Sequence, residues 1–525
     1  MEKNSASYSA KSEKHDEHKH LFGSGGKSDF IINMTPEGAQ KLCGIYSMTA
    51  MILLALSSVP YYIAKLVEPG KSGLMLQTEH NSTLAFAIMT CLILTGFVGL
   101  LIFMIASVKK EVVIAKNKGL ILFVLVVVSS LVSLLLAEDK MAALYGYYDR
   151  AEGLLSLIGY IGFFAIGVSL TNEKWRRAAS GTIVGVGTAN AAVGILQSIP
   201  ALAKYIPSYY NFLFIGYRQN LTGRHEAVNF AEYFNTYAGY DASYAADGFT
   251  CSPFALALLL TVAVAFAVNR AAYAEKISSR IVNLVCSGVM MGAAIVTQTF
   301  PALIGIGCVL VVSFVIAAAD KTGEGDKRTA NKGAIVTSLL AIVTCGAIAA
   351  GVVLTDNFRL RDEHIMFTDS YERLGIAPYQ HTPHEEDIYS TLRYEGWLKL
   401  EEHLPFGVGQ DNWVTMYANG EGMETDRTYN EYLDIALARG IVGIVIYLAA
   451  LVATLIKALR MLSGARSGKY GKAPAYGAFT AFVAVLVQAF FNISSNVSTP
   501  FFMITMGLIW SYEASTGKPE KQDKK

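Results

Sequence analysis

Charged side chains are scarce in this sequence: 16% of its 525 residues are Asp, Glu, Lys or Arg, whereas 53% are hydrophobic. Because soluble globular domains carry about a quarter charged residues, this composition predicts an integral membrane protein. The formal net charge of +1 gives no indication of nucleic-acid binding. We therefore expect a lipid bilayer, and no nucleic acid, as a partner.

Cysteine and clustered acidic residues are infrequent as well. The six cysteines lie within or at the ends of apolar segments, and none has the C-x-x-C spacing of a disulfide framework or a zinc site. No acidic cluster suggests a metal, so we predict neither a metal nor a cofactor. No cleavable signal peptide is evident, and the polar, lysine-rich residues 1–40 are predicted to form a disordered tail.

Apolar runs are abundant in the rest of the chain. About 12 segments are long or apolar enough to cross a bilayer, which needs roughly 20 residues per helix. They lie near 42–63, 83–107, 119–137, 153–170, 178–199, 251–268, 281–299, 301–319, 333–355, 438–459, 475–493 and 499–514. The predicted fold class is therefore an all-α, polytopic integral membrane protein. Only Phe300 and Pro301 separate the seventh and eighth segments, which are predicted to form a tight helical hairpin.

Lysine and arginine are distributed unevenly over the connections between these segments. They are concentrated on one side, in 109–118, 174–177, 270–280, 321–332 and 460–472. The positive-inside rule therefore predicts a plasma-membrane protein with both termini in the cytoplasm and two long outer loops. The predicted organisation is a tail (1–40), five helices (41–199), an outer loop (200–250), four helices (251–355), an outer loop (356–437), three helices (438–514) and a tail (515–525).

The most informative stretch runs from Ser390 to Tyr447. Its first part predicts an amphipathic helix, because Trp397, Leu400 and Leu404 recur on one face at helical spacing. Arg393 lies one turn before Trp397 and is expected on the same side of that helix.

A turn and a helix start follow this predicted helix. Pro405 is expected to stop the helix, and Gly407 and Gly409 mark a turn in which the backbone can approach a ligand closely. Thr428 and Glu431 then have the spacing of a capping box at the start of the next helix.

A polar helix start thus lies at the mouth of a membrane helix. An apolar run long enough to cross the membrane begins at Gly440, and Arg427 and Asn430 lie beside the predicted N-terminus. Helix N-termini attract anions, so this position, with a cation beside it, is a candidate anion-binding site.

These residues resemble the C-terminal signature of the O-antigen ligase and polymerase superfamily. That signature has an arginine followed one turn later by a tryptophan, a Pro-x-Gly-x-Gly turn, and His-Asn-x-Tyr-Leu leading into a membrane helix. The corresponding residues here are Arg393 and Trp397, Pro405–Gly409, and Tyr429–Leu433, with Tyr429 in place of the usual histidine.

The resemblance implies a C-type glycosyltransferase-like fold and a defined reaction. A glycan would pass from an undecaprenyl-diphosphate carrier to an acceptor hydroxyl at the outer face of the membrane, in cell-surface polysaccharide biosynthesis. The implied partners are a lipid-linked oligosaccharide donor and a glycan or lipid acceptor.

The resemblance also implies site residues. The candidate catalytic residues are Arg393, Arg427, Tyr429, Asn430 and Glu431. The arginines would stabilise the diphosphate leaving group. Glu431 would accept the acceptor proton, because an unperturbed tyrosine has a pKa of about 10 and is a poor base.

Three further arginines are candidates for substrate binding. Arg150 lies among the tyrosines of the segment Tyr145–Gly153, which looks like a tyrosine-rich element of Gram-positive family members, and a guanidinium suits a sugar phosphate. An interfacial aromatic belt with a local Asp149–Arg150 pair explains the same residues. Arg218 and Arg224 precede an aromatic loop that suits carbohydrate contact or, equally, a folded outer cap. The other candidate substrate-binding residues are Trp397, Gly407 and Gly409.

Two alternative functions remain open. Tyr429 replaces the family histidine, and Phe300 stands where the family has an arginine that is thought to hold the donor diphosphate. The chain is therefore also interpreted as a protein that binds a lipid-linked glycan without turnover. A polysaccharide transporter or flippase is the other alternative, which is disfavoured because the predicted spans contain almost no charge.

Overall fold

The computed structural model describes residues 35–60, 74–108, 118–146, 151–199, 202, 206, 246–297, 299–322, 329–354, 388–412, 415–416, 424–425 and 428–514. These residues are almost entirely helical, apart from two antiparallel pairs of two-residue strands. The all-α fold class predicted from the sequence is therefore confirmed for the part of the chain that the structure describes.

The described residues form fourteen helices and four short strands. In chain order they are α1 (Pro36–Ala55), α2 (Leu74–Val108), α3 (Lys118–Leu136), α4 (Lys140–Tyr145), α5 (Leu154–Ser169), α6 (Glu173–Ser198), α7 (Pro253–Ala272), α8 (Ile277–Val296), α9 (Phe300–Ala319), β1 (Lys321–Thr322), β2 (Thr329–Ala330), α10 (Lys332–Leu354), α11 (Ile388–Glu402), β3 (Thr415–Met416), β4 (Glu424–Thr425), α12 (Glu431–Arg466), α13 (Lys472–Gln488) and α14 (Thr499–Ala514).

Within the described residues, eight helices are long and apolar enough to cross a membrane, namely α2, α3, α6, α7, α8, α9, α10 and α12. The chain is thus a polytopic membrane protein, but this count does not confirm the prediction of about 12 spans. Helices also lie at the four remaining predicted positions. Of these, α5, α13 and α14 have only 16, 17 and 16 residues, and α1 begins with a polar turn.

Three helix boundaries bear on the sequence predictions. The hairpin at Phe300 is confirmed, because α8 ends at Val296 and α9 begins at Phe300. The first helix begins at Pro36, where the Thr35 hydroxyl accepts a hydrogen bond from Gly38 N at 3.1 Å. Residues 36–40, which were assigned to the tail, are therefore helical. Most of the two predicted long loops lies outside the described residues.

Helix α7 lies at the centre of the bundle. All of its residues except Arg270 are buried, and it packs against α6, α8, α9 and α13. A helix that is apolar on every side is stable in this position because protein surrounds it. Asn269 links three helices, since its amide nitrogen donates to Ser313 Oγ in α9 at 3.1 Å and to Thr480 Oγ1 in α13 at 3.2 Å.

The two ends of the bundle can be distinguished by their contacts. At one end, residues of four predicted cytoplasmic connections meet: Arg270 Nη1 donates to Arg177 O at 3.0 Å, and Lys472 Nζ pairs with Asp320 Oδ2 at 2.7 Å. The first residues of α7 and the last residues of α13 lie at the opposite end. The connections that the charge pattern assigns to one side of the membrane thus share one end of the fold.

Candidate functional site

A sharp break in α12 shapes the end opposite the cationic connections. Gly440 has φ 66° and ψ −172°, which separates a short helix, 431–439, from the long apolar helix that follows. This backbone conformation is accessible almost only to glycine. The break leaves backbone groups of the short helix unpaired within α12, and they need partners elsewhere.

The turn Pro405–Gly409 supplies those partners. Val408 N donates to Leu437 O at 2.8 Å and Gly409 N to Ala438 O at 3.1 Å, while Ile441 N donates to Leu404 O at 2.8 Å. The backbone that was expected to approach a ligand at Gly407 therefore approaches α12 instead. A Cβ at Gly407, where φ is 70°, would lie 2.3 Å from Leu437 O.

The short helix begins differently from the capping box predicted for Thr428 and Glu431. The N-cap is Asn430, whose Oδ1 accepts hydrogen bonds from Tyr432 N at 3.1 Å and Leu433 N at 3.2 Å. Thr428 instead donates from Oγ1 to Asp434 Oδ1 at 2.8 Å. The capping-box prediction was wrong because two nearby residues, Thr428 and Asn430, both suit the cap, and the bond to Asp434 engages the threonine.

The short helix, the end of this turn and the facing helices enclose a cavity of about 100 Å³. Glu431, Ile435 and Arg439 recur every four residues, so they lie on the one face of the short helix that lines it. The other walls come from α3, α5, α7, α13 and α14, and most of their lining side chains are apolar. The polar or charged residues that line the cavity are Glu152, Tyr160, Gln410, Asp411, Glu431, Tyr432, Asp434, Arg439, Tyr447, Asn492, Ser494 and Thr499.

Arg439 is the cation that lines this cavity. Its residue surface is only 6% exposed, and its Nη2 donates to Gln410 Oε1 at 3.1 Å. Its Nε is buried and makes no hydrogen bond among the described residues. The charge of Glu431 stabilises the guanidinium. A buried guanidinium that lines a cavity is suited to hold an anionic group.

Buried amides brace the wall opposite Arg439. Glu152 lines the cavity and is 7% exposed. Beside it, Ala151 O accepts a hydrogen bond from Asn496 Nδ2 at 2.9 Å, and Tyr160 Oη donates to Asn496 Oδ1 at 3.0 Å. Asn492 Nδ2 donates to Phe254 O at 3.2 Å. These bonds tie α5, α7 and the segment before α14 into one rigid wall.

The structure brings only some of the predicted site residues together. Glu431 and Gly409 line the cavity, whereas Asn430 caps the short helix. Tyr429 has φ 52°, and its ring lies 4.8 Å from that of Phe254. Four arginines lie outside the described residues, namely Arg150, Arg218, Arg224 and Arg427.

The three residues predicted to share one face of the helix, Trp397, Leu400 and Leu404, differ in their burial. Trp397 and Leu404 are 56% and 41% exposed, whereas Leu400 is 5% exposed. The buried face instead includes Gly396, where a Cβ would lie 2.6 Å from Thr428 Cγ2. Arg393 is half-buried and, like Trp397, does not line the cavity. Glycine, the smallest residue, occupies the position of α11 that contacts α12, because the two backbones approach each other closely there.

Arg439 and Glu152 were missed as site residues, although the sequence contains a signal for each. Arg439 is one of two charges, with Lys457, inside the segment 438–459 that was predicted to span the membrane, and charges within a span usually mark functional sites. Glu152 ends the tyrosine-rich segment in which only Arg150 was singled out. Among the described residues, no three His, Cys, Asp or Glu side chains are grouped so that they could hold a metal ion.

The chain matches no protein-family model and no curated protein. The chemistry of the cavity must therefore be argued from its own residues.

Proposed function

We propose that this protein is an O-antigen ligase-like membrane glycosyltransferase that moves a glycan from a polyprenyl-diphosphate carrier to an acceptor hydroxyl. The observation that carries the proposal is the cavity where Glu431 and Arg439 lie on one face of the same short helix. A carboxylate and a guanidinium on the same face of this helix would supply the two functions that the reaction needs.

Arg439 would stabilise the leaving group. When the bond between the anomeric carbon and the carrier oxygen breaks, its electron pair leaves with the diphosphate, so negative charge develops on phosphate oxygens. A buried, preorganised cation stabilises such charge more strongly than an exposed one. The apolar walls from α3, α5 and α14 keep the surrounding dielectric low.

Glu431 would act as the general base. The acceptor oxygen attacks the anomeric carbon, and its proton passes to the carboxylate of Glu431. Asn430 fixes the backbone at this position by capping the helix, and Glu431 N donates to Ala489 O at 2.9 Å. The carboxylate is therefore attached to a rigid point of the bundle.

The cavity accommodates reacting groups rather than a whole glycan, because about 100 Å³ corresponds to roughly three water molecules. The proposed topology has about 12 spans with both termini in the cytoplasm. The lipid-linked donor would reach the cavity from the bilayer, and its glycan would extend to the outer side. Arg393, and Arg150, Arg218, Arg224 and Arg427, remain candidates to hold the rest of the donor.

The proposal is tested with purified protein in lipid nanodiscs, supplied with a polyprenyl-diphosphate-linked oligosaccharide and a mixture of acceptors. Release of the polyprenyl diphosphate and transfer of the glycan are both measured. We expect Glu431→Gln to lower transfer at least 100-fold while the protein keeps its thermal unfolding midpoint. Equal transfer by Glu431→Gln and wild type would refute the role of Glu431.

Transport is the second candidate, and one observation favours it. Arg439 and Glu152 are buried charges at the end of the helical bundle opposite the cationic connections. Buried charges in a membrane protein often mark substrate pathways. A transporter or a non-catalytic binding protein would bind the lipid-linked glycan in the same nanodiscs but would leave its diphosphate linkage intact. Binding without any release of polyprenyl diphosphate would therefore replace the enzyme proposal.

A further inference from the structure

A second cavity lies at the opposite end of the bundle. It has a volume of about 600 Å³, is open on one side, and is lined by the second turn of α6, the first turn of α13, the end of α7 and the connection to α8. Four of its lining side chains are cationic and one, Glu275, is anionic. The cations are Arg177, Arg270, Lys276 and Lys472.

Arg270 is held rigidly at the back of this cavity. Its Nη1 donates to Arg177 O at 3.0 Å and to Ser180 Oγ at 2.8 Å, and its Nε donates to Asn283 Oδ1 at 3.2 Å. All three acceptors are uncharged. Among the described residues, no carboxylate pairs with Arg270 and its Nη2 makes no hydrogen bond, so a preorganised guanidinium edge is available to a ligand.

The other cations differ in how far they are neutralised. Lys472 pairs with the buried Asp320, with Nζ to Oδ2 at 2.7 Å, and Arg177 pairs with Glu173 at 3.3 Å. Lys276 makes no ion pair within the described part of the chain. Together with Arg270, it gives the cavity cationic character that the neighbouring acids do not cancel.

Tyr273 lines the cavity with a neutral side chain and adds no negative charge. Burial, and secondly the charge of Asp320, raise the pKa of its phenol, which therefore stays protonated at neutral pH. The hydroxyl itself is buried, so the fixed cations are the groups of this cavity that suit a phosphate.

An apolar stripe begins beside the cavity. Ile277, Ile281 and Val285 recur every four residues along α8 and are 68%, 54% and 61% exposed. Ile277, the first residue of this stripe, directly follows Lys276 in the chain. The cationic cavity and the exposed apolar stripe are therefore continuous. This combination distinguishes a phospholipid, which has both a phosphate and acyl chains, from a soluble anion.

We propose that this cavity binds the phosphate headgroup of an anionic glycerophospholipid, whose acyl chains lie along Ile277, Ile281 and Val285. Basic pockets between membrane helices at the cytoplasmic face are suited to such headgroups. The cavity is separate from the candidate functional site. Leu258 lines one and Arg270 lines the other, and twelve residues of helix separate them by about 18 Å.

The test uses purified full-length protein in a neutral detergent. Short-chain phosphatidylglycerol, short-chain phosphatidylcholine and inorganic phosphate are titrated separately, and the thermal unfolding midpoint reports binding. The test variant is Arg177→Gln/Lys276→Gln, which removes two exposed cations of the cavity. The matched control is Lys332→Gln/Arg460→Gln, which removes two exposed cations at the same end of the bundle that do not line it.

We expect phosphatidylglycerol to raise the midpoint of the wild type and the control, and phosphatidylcholine to raise it far less. The apparent affinity for phosphatidylglycerol should fall about 10-fold or more in the test variant. Equal affinities of the two double variants would overturn the proposal. An equal rise of the wild-type midpoint with the two lipids would also overturn it. So would a rise with inorganic phosphate as large as that with phosphatidylglycerol at the same concentrations.

Discussion

Arg439 offers the sharpest test of the candidate site. Its guanidinium is buried, shares a hydrogen bond with Gln410 at 3.1 Å, and has one N–H, at Nε, without a partner among the described residues. Arg439→Lys keeps the positive charge but removes the planar fork of donors. Arg439→Met removes the charge and leaves the carboxylate of Glu431 without its nearby cation.

The two substitutions should separate catalysis from stability. Loss of one charge-assisted hydrogen bond to a phosphate costs about 1.5–3 kcal/mol, which slows transfer by Arg439→Lys about 10- to 150-fold. The fold should lose only the hydrogen bond from the charged guanidinium to Gln410 Oε1, about 1.5–3 kcal/mol. Arg439→Met should destabilise the fold further, because it also removes the positive charge near the half-buried Glu431.

A double variant provides the control. Arg439→Met/Glu431→Gln removes both charges, so we expect it to recover the part of the loss that comes from Glu431 without its nearby cation, while transfer stays absent. Transfer is measured with the lipid-linked donor in nanodiscs, and stability by thermal unfolding of the same preparations. The reasoning fails if Arg439→Lys transfers the glycan at the wild-type rate, because a merely structural cation would tolerate lysine.

Three further predictions concern the backbone break, a buried ion pair and the replaced histidine. Gly440→Ala should lower stability by more than about 2 kcal/mol in thermal unfolding, since a Cβ would lie 2.4 Å from the backbone of the facing turn; Gly307→Ala, whose Cβ would meet nothing within 4 Å, should leave it nearly unchanged. Lys472→Met should lower the stability of the fold by about 3–5 kcal/mol, because the buried carboxylate of Asp320 loses its cation. Lys472→Met/Asp320→Asn should restore most of that stability. An unchanged unfolding midpoint in the single variant would contradict this reading. Tyr429→His should keep or raise the transfer rate, because a neutral imidazole is a better base than a phenol, and a complete loss of transfer with the fold intact would argue against base catalysis near this position.

The local sequence determined most of the helices. Long apolar runs predict membrane helices because unpaired backbone groups are too costly in lipid, and the hairpin at Phe300–Pro301 was predicted because no single helix of that length fits a bilayer. Proline at the first helical positions and a capping side chain before them also mark helix starts. Pro36 with Thr35 and Pro253 with Ser252 are the examples here.

Local pattern was least reliable where polar residues compete for one role. Thr428 and Asn430 are both good N-caps, and the decision for Asn430 depends on Asp434, which takes the threonine hydroxyl. Likewise, the face of α11 that is buried depends on its contact with α12. Gly396, which has no side chain to bury, is selected because it permits a close approach.

The candidate site itself was decided by tertiary structure. The sequence placed Glu431 at the start of a membrane helix and Gly409 in a turn, but nothing local shows that Glu152 and Asn492 meet them across the bundle. Those contacts join segments far apart in the chain, and they arise from how α5, α12 and the segment before α14 pack.

The break at Gly440 illustrates the same division. A glycine in an apolar run is consistent with an unbroken helix, and the sequence alone predicts only that an apolar helix follows it. The break forms because the turn Pro405–Gly409 pairs with the freed backbone groups of Leu437 and Ala438, which lie about thirty residues away. That pairing turns the short helix so that Arg439 faces the cavity, because a buried backbone must find hydrogen-bond partners wherever the fold provides them.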